Sequence, residues 1–571
     1  MISEIIQKEL GKALQKHFQL GALVAEVTPT KDLSHGDYTT SVALKIASHW
    51  GVPPIKAAEQ LVEELSVSSP LIKVVDKIQI AGPGFINFWI KEKFLLGLLP
   101  VIIKNQSRAL LKGQKIIVEY SSPNIAKPMH IGHVRSTFIG QALSNIYQAL
   151  GAKVIRLNHL GDWGTQFGKL LYAYKLWGDK KIIQAEPINE LLKLYVRFHE
   201  AMKTDPDLET KGREEFLKLE QGDKTNIRLW NWFKKESLKE FNKIYKQLKV
   251  KFDYLTGESF YEPFLKLVVK DLLKKNLAIT NEDGSIVAVL TEDSLPPCLV
   301  QKGDGASLYA TRDLAAIRYR VKTFKPNLIV YVVGNEQTLH FEQVFALAKK
   351  VGYAGLTKFS HVKFGLVLGE DGQKLATREG KVIKLEDVLS QAVVLAEQIV
   401  QKKNPKLSKQ QKKNIARVVG LGAVKYNDLS QNRQTDIAFN WQKMLSLEGN
   451  SGPYLQYTYV RLKSILRKSR LAKSVGKKSV DKEYKQLDEN LLRKLTQYPE
   501  AIHRAAKEQG PHLLALYLYE LASQVNSYYQ QVPVLQSKSV FRKNRLQLVK
   551  TAAEVIKQGL SILGIEVVEK M

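Results

Sequence analysis

The stretch from Lys115 to Gly151 limits the fold more than any other part of this 571-residue chain. Ile116, Ile117 and Val118 form a β-branched apolar run of the kind that fills a buried strand. The loop from Ser121 to Pro128 carries two prolines and no periodicity. Val134, Phe138, Ala142, Leu143, Ile146 and Leu150 then recur at helical spacing until Gly151 supplies a stop, so a helix begins near Ile131. His130, Gly132 and His133 therefore sit at a helix N-terminus, where unpaired N–H groups and the helix dipole favour an anion such as a phosphate. Lys153 to Leu157 reads as a second strand. Strand, helix and strand in that order make a right-handed crossover, hence a parallel, doubly wound sheet of Rossmann type with ligands at the C-terminal ends of its strands.

The rest of the chain divides around this unit. Residues 1–112 read as a small α+β domain: an opening amphipathic helix, a strand candidate Leu23 to Val27, helices Ser41 to Ser48 and Pro54 to Leu65, and strands Ile78 to Ile80 and Phe85 to Ile90 joined by a Gly/Pro turn. Residues 113–395 read as the α/β doubly wound domain, interrupted over 179–258 by a charged helical insertion. Trp230, Trp232, Phe233, Phe241 and Leu248 form an apolar stripe on that insertion, suited to packing. Sheet-like segments return at Ile286 to Leu290, Leu308 to Ala310, Leu328 to Val333 and Phe364 to Leu368. Residues 396–571 read as an all-α bundle with helices Ile415 to Leu429, His512 to Tyr529 and Arg545 to Leu563, and a basic, weakly apolar loop from Leu471 to Gln486.

Charge and cysteine narrow the classes. Lys and Arg number 86 against 56 Asp and Glu, a net +30 that suits a polyanionic partner, although a solvated lysine coat fits the count equally. Cys298 is the only cysteine, which excludes an intramolecular disulfide and a zinc knuckle and fits a cytoplasmic protein. No run approaches the roughly 20 apolar residues that span a bilayer, so no membrane role is expected. Gly164 to Lys169 spells G-x-x-x-G-K, but the spacing is too short for a P-loop and Leu170 stands where Ser or Thr is needed.

H-I-G-H at His130 to His133, preceded by S-S-P-N and A-K-P, resembles the nucleotide-binding signature of the class I aminoacyl-tRNA synthetases. With HGDYTTSVALKIA, AGPGFINFWI, HLGDWGTQFG and SLYATRDLAAIRYR, the chain resembles the arginyl-tRNA synthetases along almost its whole length. That resemblance implies an ATP site of Pro123, His130, Gly132, His133 and His340, joined by Lys374 and Arg378 from a second nucleotide motif, VLGEDGQKLATREGKV. Class I enzymes carry K-M-S-K-S there, a mobile loop whose lysines hold the leaving pyrophosphate; this chain has Thr377 in place of the second lysine. Lys127, just ahead of His130, is the expected substitute and completes a catalytic set with His130 and His133. The implied arginine pocket is Glu119, Asn124, Tyr309, Asp313 and Gln337. Chemistry agrees, because a planar, multiply donating guanidinium is met naturally by carboxylates and a tyrosine ring. Tyr309 and Asp313, four apart, share a helix face. Phe85 and Asn87 are the implied tRNA contacts, a ring to stack and an amide to read a base edge; a plain strand-core role is the alternative for Phe85.

What that family does sets the expected function. L-arginine and ATP, with Mg²⁺ accompanying the nucleotide, form arginyl-adenylate and pyrophosphate. The arginyl group then passes to the 3′-terminal ribose of tRNA(Arg), releasing AMP, and the resemblance implies that activation needs bound tRNA. The C-terminal bundle, with Tyr454, Tyr457, Tyr459 and Arg461, is the expected anticodon-binding domain. The chain is expected to act as a monomer with no tight metal site of its own. Within the class, a cysteinyl enzyme needs zinc-binding cysteines and the Ile, Leu and Val enzymes a large editing insertion, while comparing Arg with Lys as substrate separates a lysyl enzyme.

Overall fold

The computed structural model describes residues 1–20, 25–30, 32–104, 110–369, 384–471 and 484–571. The N-terminal part packs the helices Ile2–Phe18, Val42–Trp50 and Pro54–Ser66 on an antiparallel sheet of β1 (Thr28–Pro29), β2 (Tyr38–Thr40), β3 (Val75–Ala81) and β4 (Phe85–Ile90), in the order β1-β2-β4-β3. Ile86, Phe88 and Ile90 alternate into its core, none more than 2% exposed. The strand expected near Leu23 begins only at Thr28, and part of the expected segment lies outside the described residues.

A five-stranded, wholly parallel sheet forms the centre of the molecule. Its strands are β5 (Lys115–Glu119), β6 (Lys153–Asn158), β7 (Tyr254–Leu255), β11 (Leu328–Tyr331) and β12 (Lys358–His361), ordered β12-β11-β5-β6-β7. Both faces of β5 are covered, with Ile116 at 4% and Ile117 and Val118 at 0% exposure, as a doubly wound sheet requires. The chain runs outward from β5 through β6 to β7 and then crosses to β11 on the other side. The order thus reverses between β5 and β11, and a ligand crevice opens at their C-terminal ends. One face packs Ile117, Ile155 and Ile329 against the helices Tyr309–Phe324 and Thr338–Lys350; the other packs Val118 and Val330 against the signature helix Ile131–Ala149, in a core continuous with the C-terminal bundle.

The strands between these are a side unit, an antiparallel sheet of β8 (Ala278–Thr280), β9 (Ile286–Ala288) and β10 (Cys298–Gln301). The insertion is helical up to the long helix Lys224–Leu248, whose Phe233, Phe241 and Leu248 are buried, so its apolar stripe packs as expected. Four expectations are corrected. The segment expected at Ile286 to Leu290 supplies β9 to the antiparallel side unit, not a strand to the doubly wound sheet. The stretch read as insertion ends not in helix but in the edge strand β7. Leu308 to Ala310 is not a strand: Leu308 is extended but caps the helix Tyr309–Phe324, whose Ala310, Leu314 and Ile317 follow a helical period. Phe364 to Leu368 does not join the central sheet. Gly365 N–H donates to Arg433 O at 3.0 Å and Leu366 N–H to Asp436 Oδ1 at 2.6 Å, so β13 (Val367–Leu368) pairs instead with β14 (Ile437–Ala438).

Apart from the two-residue strand β14, the C-terminal part is helical among the described residues, including Lys409–Leu429, Gly452–Leu471, Lys485–Thr496, Pro511–Gln531 and Ser539–Ile562. The basic loop expected from Leu471 falls mostly outside the described residues. Among the described residues no helix is long and apolar enough to cross a membrane.

Candidate active site

The loop leaving β5 turns sharply. Ser121, Ser122 and Ala126 adopt left-handed backbone conformations, φ 74°, 47° and 61°, each costing a non-glycine residue about 1 kcal/mol or more. Neighbours hold each in place: Ser121 N–H donates to Ser136 Oγ (2.9 Å), Ser122 N–H to Asn158 Oδ1 (3.0 Å) and Ala126 N–H to Ser237 Oγ (2.9 Å). Close packing helps fix the turn. A Cβ on Gly140 would stand 2.2 Å from the Tyr120 side chain, so only glycine lets the signature helix lie this near the strand end. Pro123 is buried in this turn, and its carbonyl accepts from Gly161 N–H at 3.2 Å.

His130 and His133 cap the helix reciprocally. Gly132 N–H donates to His130 Nδ1 and His130 N–H to His133 Nδ1, both at 3.1 Å, the arrangement of a capping box built from imidazoles. A ring nitrogen that accepts from an amide carries no proton, so each ring is the tautomer with its hydrogen on Nε2. Burial lowers the pKa of His130 and takes His133, next to it, down to about 3, so both are neutral at physiological pH. The rings lie 3.9 Å apart. The helix thus begins with Gly132 exposed and with two Nε2–H donors at the positive end of its dipole, a setting that suits an anion.

The expected arginine-pocket residues come from four places: the end of β5 (Glu119), the loop after it (Asn124), the helix Tyr309–Phe324 (Tyr309 and Asp313) and the turn Asn335–Gln337 (Gln337). Tyr309 is 66% exposed at the first turn of its helix. Asp313, one turn on, meets His340 Nε2 at 2.6 Å, which joins a residue expected on the ATP side to one expected on the arginine side. Burial raises the Asp313 pKa, but the His340 hydrogen bond, with His159 and Arg320 nearby, leaves it below the usual range. Asn124 lies over Gly161: a Cβ there would stand 1.8 Å from Asn124 Oδ1. Gln337, in the short turn Asn335–Gln337, is exposed. Glu119 is only 5% exposed and already has a cation, its Oε2 lying 2.6 Å from Arg320 Nη2 at an angle outside hydrogen-bond geometry.

Three residues that sequence reasoning passed over belong to this site. Arg320 is fully buried and also reaches the hydroxyls of Tyr261 and Tyr331 at 3.3 Å and His159 Nδ1 at 3.2 Å. Burial opposes its charge, and Glu119 more than offsets that, holding the guanidinium pKa well above its ordinary value. Glu258, following β7, is 9% exposed, and burial together with Asp313, Asp162 and Glu262 pushes its pKa up to about 8 despite Arg312. It is a carboxyl group beside Asp313 that is largely protonated at neutral pH. Asp162, fully buried, ties Lys234 (2.5 Å) and Ser259 (2.7 Å) to the loop after β6. A polar stripe at Asp313 and Arg320, two helical turns apart, was the one available signal.

The remaining expected residues are more dispersed. Lys127 projects toward the insertion, its Nζ 4.8 Å from the centre of the Tyr195 ring. Lys374 and Arg378 lie outside the described residues, but the chain re-enters at Lys384 bridged to His130, with Leu385 N–H donating to Met129 O at 3.0 Å. In the N-terminal sheet Phe85 is 39% exposed, whereas Asn87, on the same face two residues along, is 4% exposed and presents little of its amide to solvent.

Residues 2–90 match the arginyl-tRNA synthetase N-terminal domain, 99–441 the catalytic domain of the class I tRNA synthetases (R), and 455–571 the DALR anticodon-binding domain. The arginine–tRNA ligases of Fusobacterium nucleatum subsp. nucleatum (41% identity, all of both chains) and Clostridium acetobutylicum (40%, all of this chain and 99% of the other) are similar from end to end. The solved Thermus thermophilus arginyl-tRNA synthetase superposes over all of both chains with a TM-score of 0.85 at 24% identity, and that of Plasmodium falciparum with 0.84 at 26%, over 100% and 99%. A doubly wound sheet with a histidine-capped helix at its switch point, flanked by those two further domains, makes this chain a member of the class I arginyl-tRNA synthetases.

Proposed function

We propose that the chain activates L-arginine with ATP and charges tRNA(Arg), and that the loop from Glu119 to His133 forms a wall shared by the two small substrates. The observation that carries this is the reciprocal histidine cap at the switch point, beside a pocket of carboxylates. A carboxylate oxygen of arginine attacks the α-phosphorus of ATP, the bond to the bridging oxygen breaks, and pyrophosphate leaves with that electron pair. Such a transfer needs positioning and charge stabilisation more than a general base. The Nε2–H donors of His130 and His133 and the positive end of the helix dipole stabilise the phosphate oxygens as they gain charge. Pro123 and Gly132 shape the backbone around the nucleotide. Mg²⁺ neutralises phosphate charge when bound; the imidazoles here offer donors rather than anionic ligands, so in this reading the phosphates themselves hold it.

Asp313 and Glu258 face the guanidinium, and His340 leaves Asp313 as the substrate enters. Asn124, Tyr309 and Gln337 line the pocket, and Glu119, neutralised by Arg320, supports it from beneath. Lys127 leaves the Tyr195 ring to reach the phosphates, helped by Lys374 and Arg378. The arginyl group then passes from the adenylate to the terminal ribose hydroxyl of the tRNA, with AMP as the leaving group. Phe85 offers a stacking surface to the tRNA, Asn87 fixes the strand beneath it, and the bundle takes the anticodon. Incubating the purified chain with labelled arginine, ATP and tRNA tests the whole reading: label enters acid-precipitable tRNA, and failure to do so under conditions where tRNA binds would leave an RNA-binding protein instead.

A further inference from the structure

The long helix Lys224–Leu248 touches the signature loop at two places and the C-terminal bundle at a third. Tyr245 Oη lies 2.8 Å from Ser121 Oγ and accepts from Asn158 Nδ2 at 3.1 Å, while Ser237 Oγ accepts from Ala126 N–H at 2.9 Å. Asn158 in turn accepts from Ser122 N–H. All three left-handed residues of the loop are therefore anchored through this helix or a residue bonded to it. One turn past Tyr245, the Leu248 carbonyl accepts from Lys425 Nζ at 2.7 Å, and the same ammonium donates to Gly564 O at 2.6 Å. Lys249 closes the end with an ion pair to Glu566 at 2.5 Å.

Physical chemistry explains why a lysine is buried there. Leu248 ends one helix and Gly564 lies two residues past the end of another, Ser539–Ile562, so a cation held between their carbonyls also answers the two helix dipoles. Burial lowers Lys425 to about 8, with Glu566 pulling the other way. Asp428, one turn further along the same helix Lys409–Leu429, forms a buried ion pair with Arg135 of the signature helix at 3.3 Å. One helical turn of the C-terminal part thus grips both the signature helix and the helix that holds the signature loop.

We propose that the helix Lys224–Leu248 is a strut, set at its C-terminal end by Lys425, that fixes the left-handed signature loop, so that Lys425 and Tyr245 are positioning residues for arginine activation. Tyr245 lies about 4.5 Å along the axis from Leu248 and Ser237 about 16 Å, within one rigid helix. The inference rests on the reading of the site given above.

The test is a double-mutant cycle between Lys425→Met and Tyr245→Phe, whose side chains meet different partners. Each variant is expected to lower kcat of tRNA-supported ATP–pyrophosphate exchange about tenfold, with KM for arginine and the Kd for tRNA within about twofold. The double variant is expected to be no slower than the worse single one, and Lys425→Arg to recover activity. Amide hydrogen exchange at Ser121, Ser122 and Ala126, which needs no turnover, is expected to speed up in both variants. Multiplying losses, or unchanged kcat and unchanged loop exchange, would overturn the strut. If Lys425→Met does not fold, Tyr245→Phe and Lys425→Arg decide: full kcat and wild-type loop exchange in Tyr245→Phe also overturn it. An inactive wild-type enzyme with variant-sensitive loop exchange would sink the reaction, not the strut.

Discussion

His133 performs two separable jobs, and side-chain geometry offers a way to divide them. Its Nδ1 accepts from His130 N–H, and its Nε2–H is the donor proposed for the phosphates. Asn places an oxygen at the same number of bonds as Nδ1, and Gln places a nitrogen at the same number of bonds as Nε2. His133→Ala loses both groups. It should cost about 1 kcal/mol of stability for the missing cap and about 100- to 1000-fold in kcat for the missing donor. His133→Asn keeps the cap and should unfold near the wild-type temperature while losing the same factor in kcat; His133→Gln should retain more activity with lower stability. Thermal unfolding and ATP–pyrophosphate exchange, measured side by side, decide the matter. A His133→Asn enzyme with wild-type kcat would refute the assignment of Nε2–H to the phosphates. The pH dependence follows from the same geometry. His133 stays neutral down to about 3 in the folded chain but titrates near the ordinary imidazole value of 6.5 when unfolded. Acid therefore favours the unfolded state: stability is unaffected above about 6.5 and falls by up to about 1.4 kcal/mol per pH unit below it.

Other outcomes follow from the pocket. Gly161→Ala drives a methyl group into Asn124, so KM for arginine should rise at least tenfold, about 1.4 kcal/mol or more, with ATP binding less affected; saturation kinetics in each substrate reads the difference. Arg320→Met leaves the Glu119 carboxylate buried without its cation and should cost about 3–5 kcal/mol, seen as a lower midpoint in denaturant. Glu258 carries a proton at pH 7 because its pKa is raised to about 8, and a bound guanidinium favours the carboxylate. Arginine binding should therefore release a proton, measurable by calorimetry in buffers of different ionisation enthalpy, and KM for arginine should fall as pH rises toward 8 and level off above it. Lys127→Ala should lower pyrophosphate exchange, and near-normal exchange would remove Lys127 from the reaction.

The crossover at the signature was legible because every local signal agreed: β-branched strand, proline loop, helical period and glycine stop. The capping by imidazoles was not, since histidine is not a preferred cap and the pairing depends on ring orientation. β7 could not be read because Tyr254 and Leu255 are both exposed and show no buried pattern. Leu308 misled because an extended cap residue beside apolar neighbours looks like a strand. Asp313 could be singled out from spacing and resemblance, but its contact with His340 could not, because that contact joins two helices. Arg320 reads in sequence as one more solvent-facing cation on a basic helix. Only the fold brings Glu119 and two tyrosine hydroxyls around it and makes it a buried support.

The central claim is that this loop and pocket activate arginine in particular. ATP–pyrophosphate exchange with the purified chain and tRNA, run with arginine and lysine in parallel, addresses it most directly. A pocket of paired carboxylates and a tyrosine, shaped for a planar, multiply donating group, should exchange with arginine and discriminate against lysine by about 1000-fold or more. Exchange that is absent with arginine, or equal for both amino acids, would contradict the account.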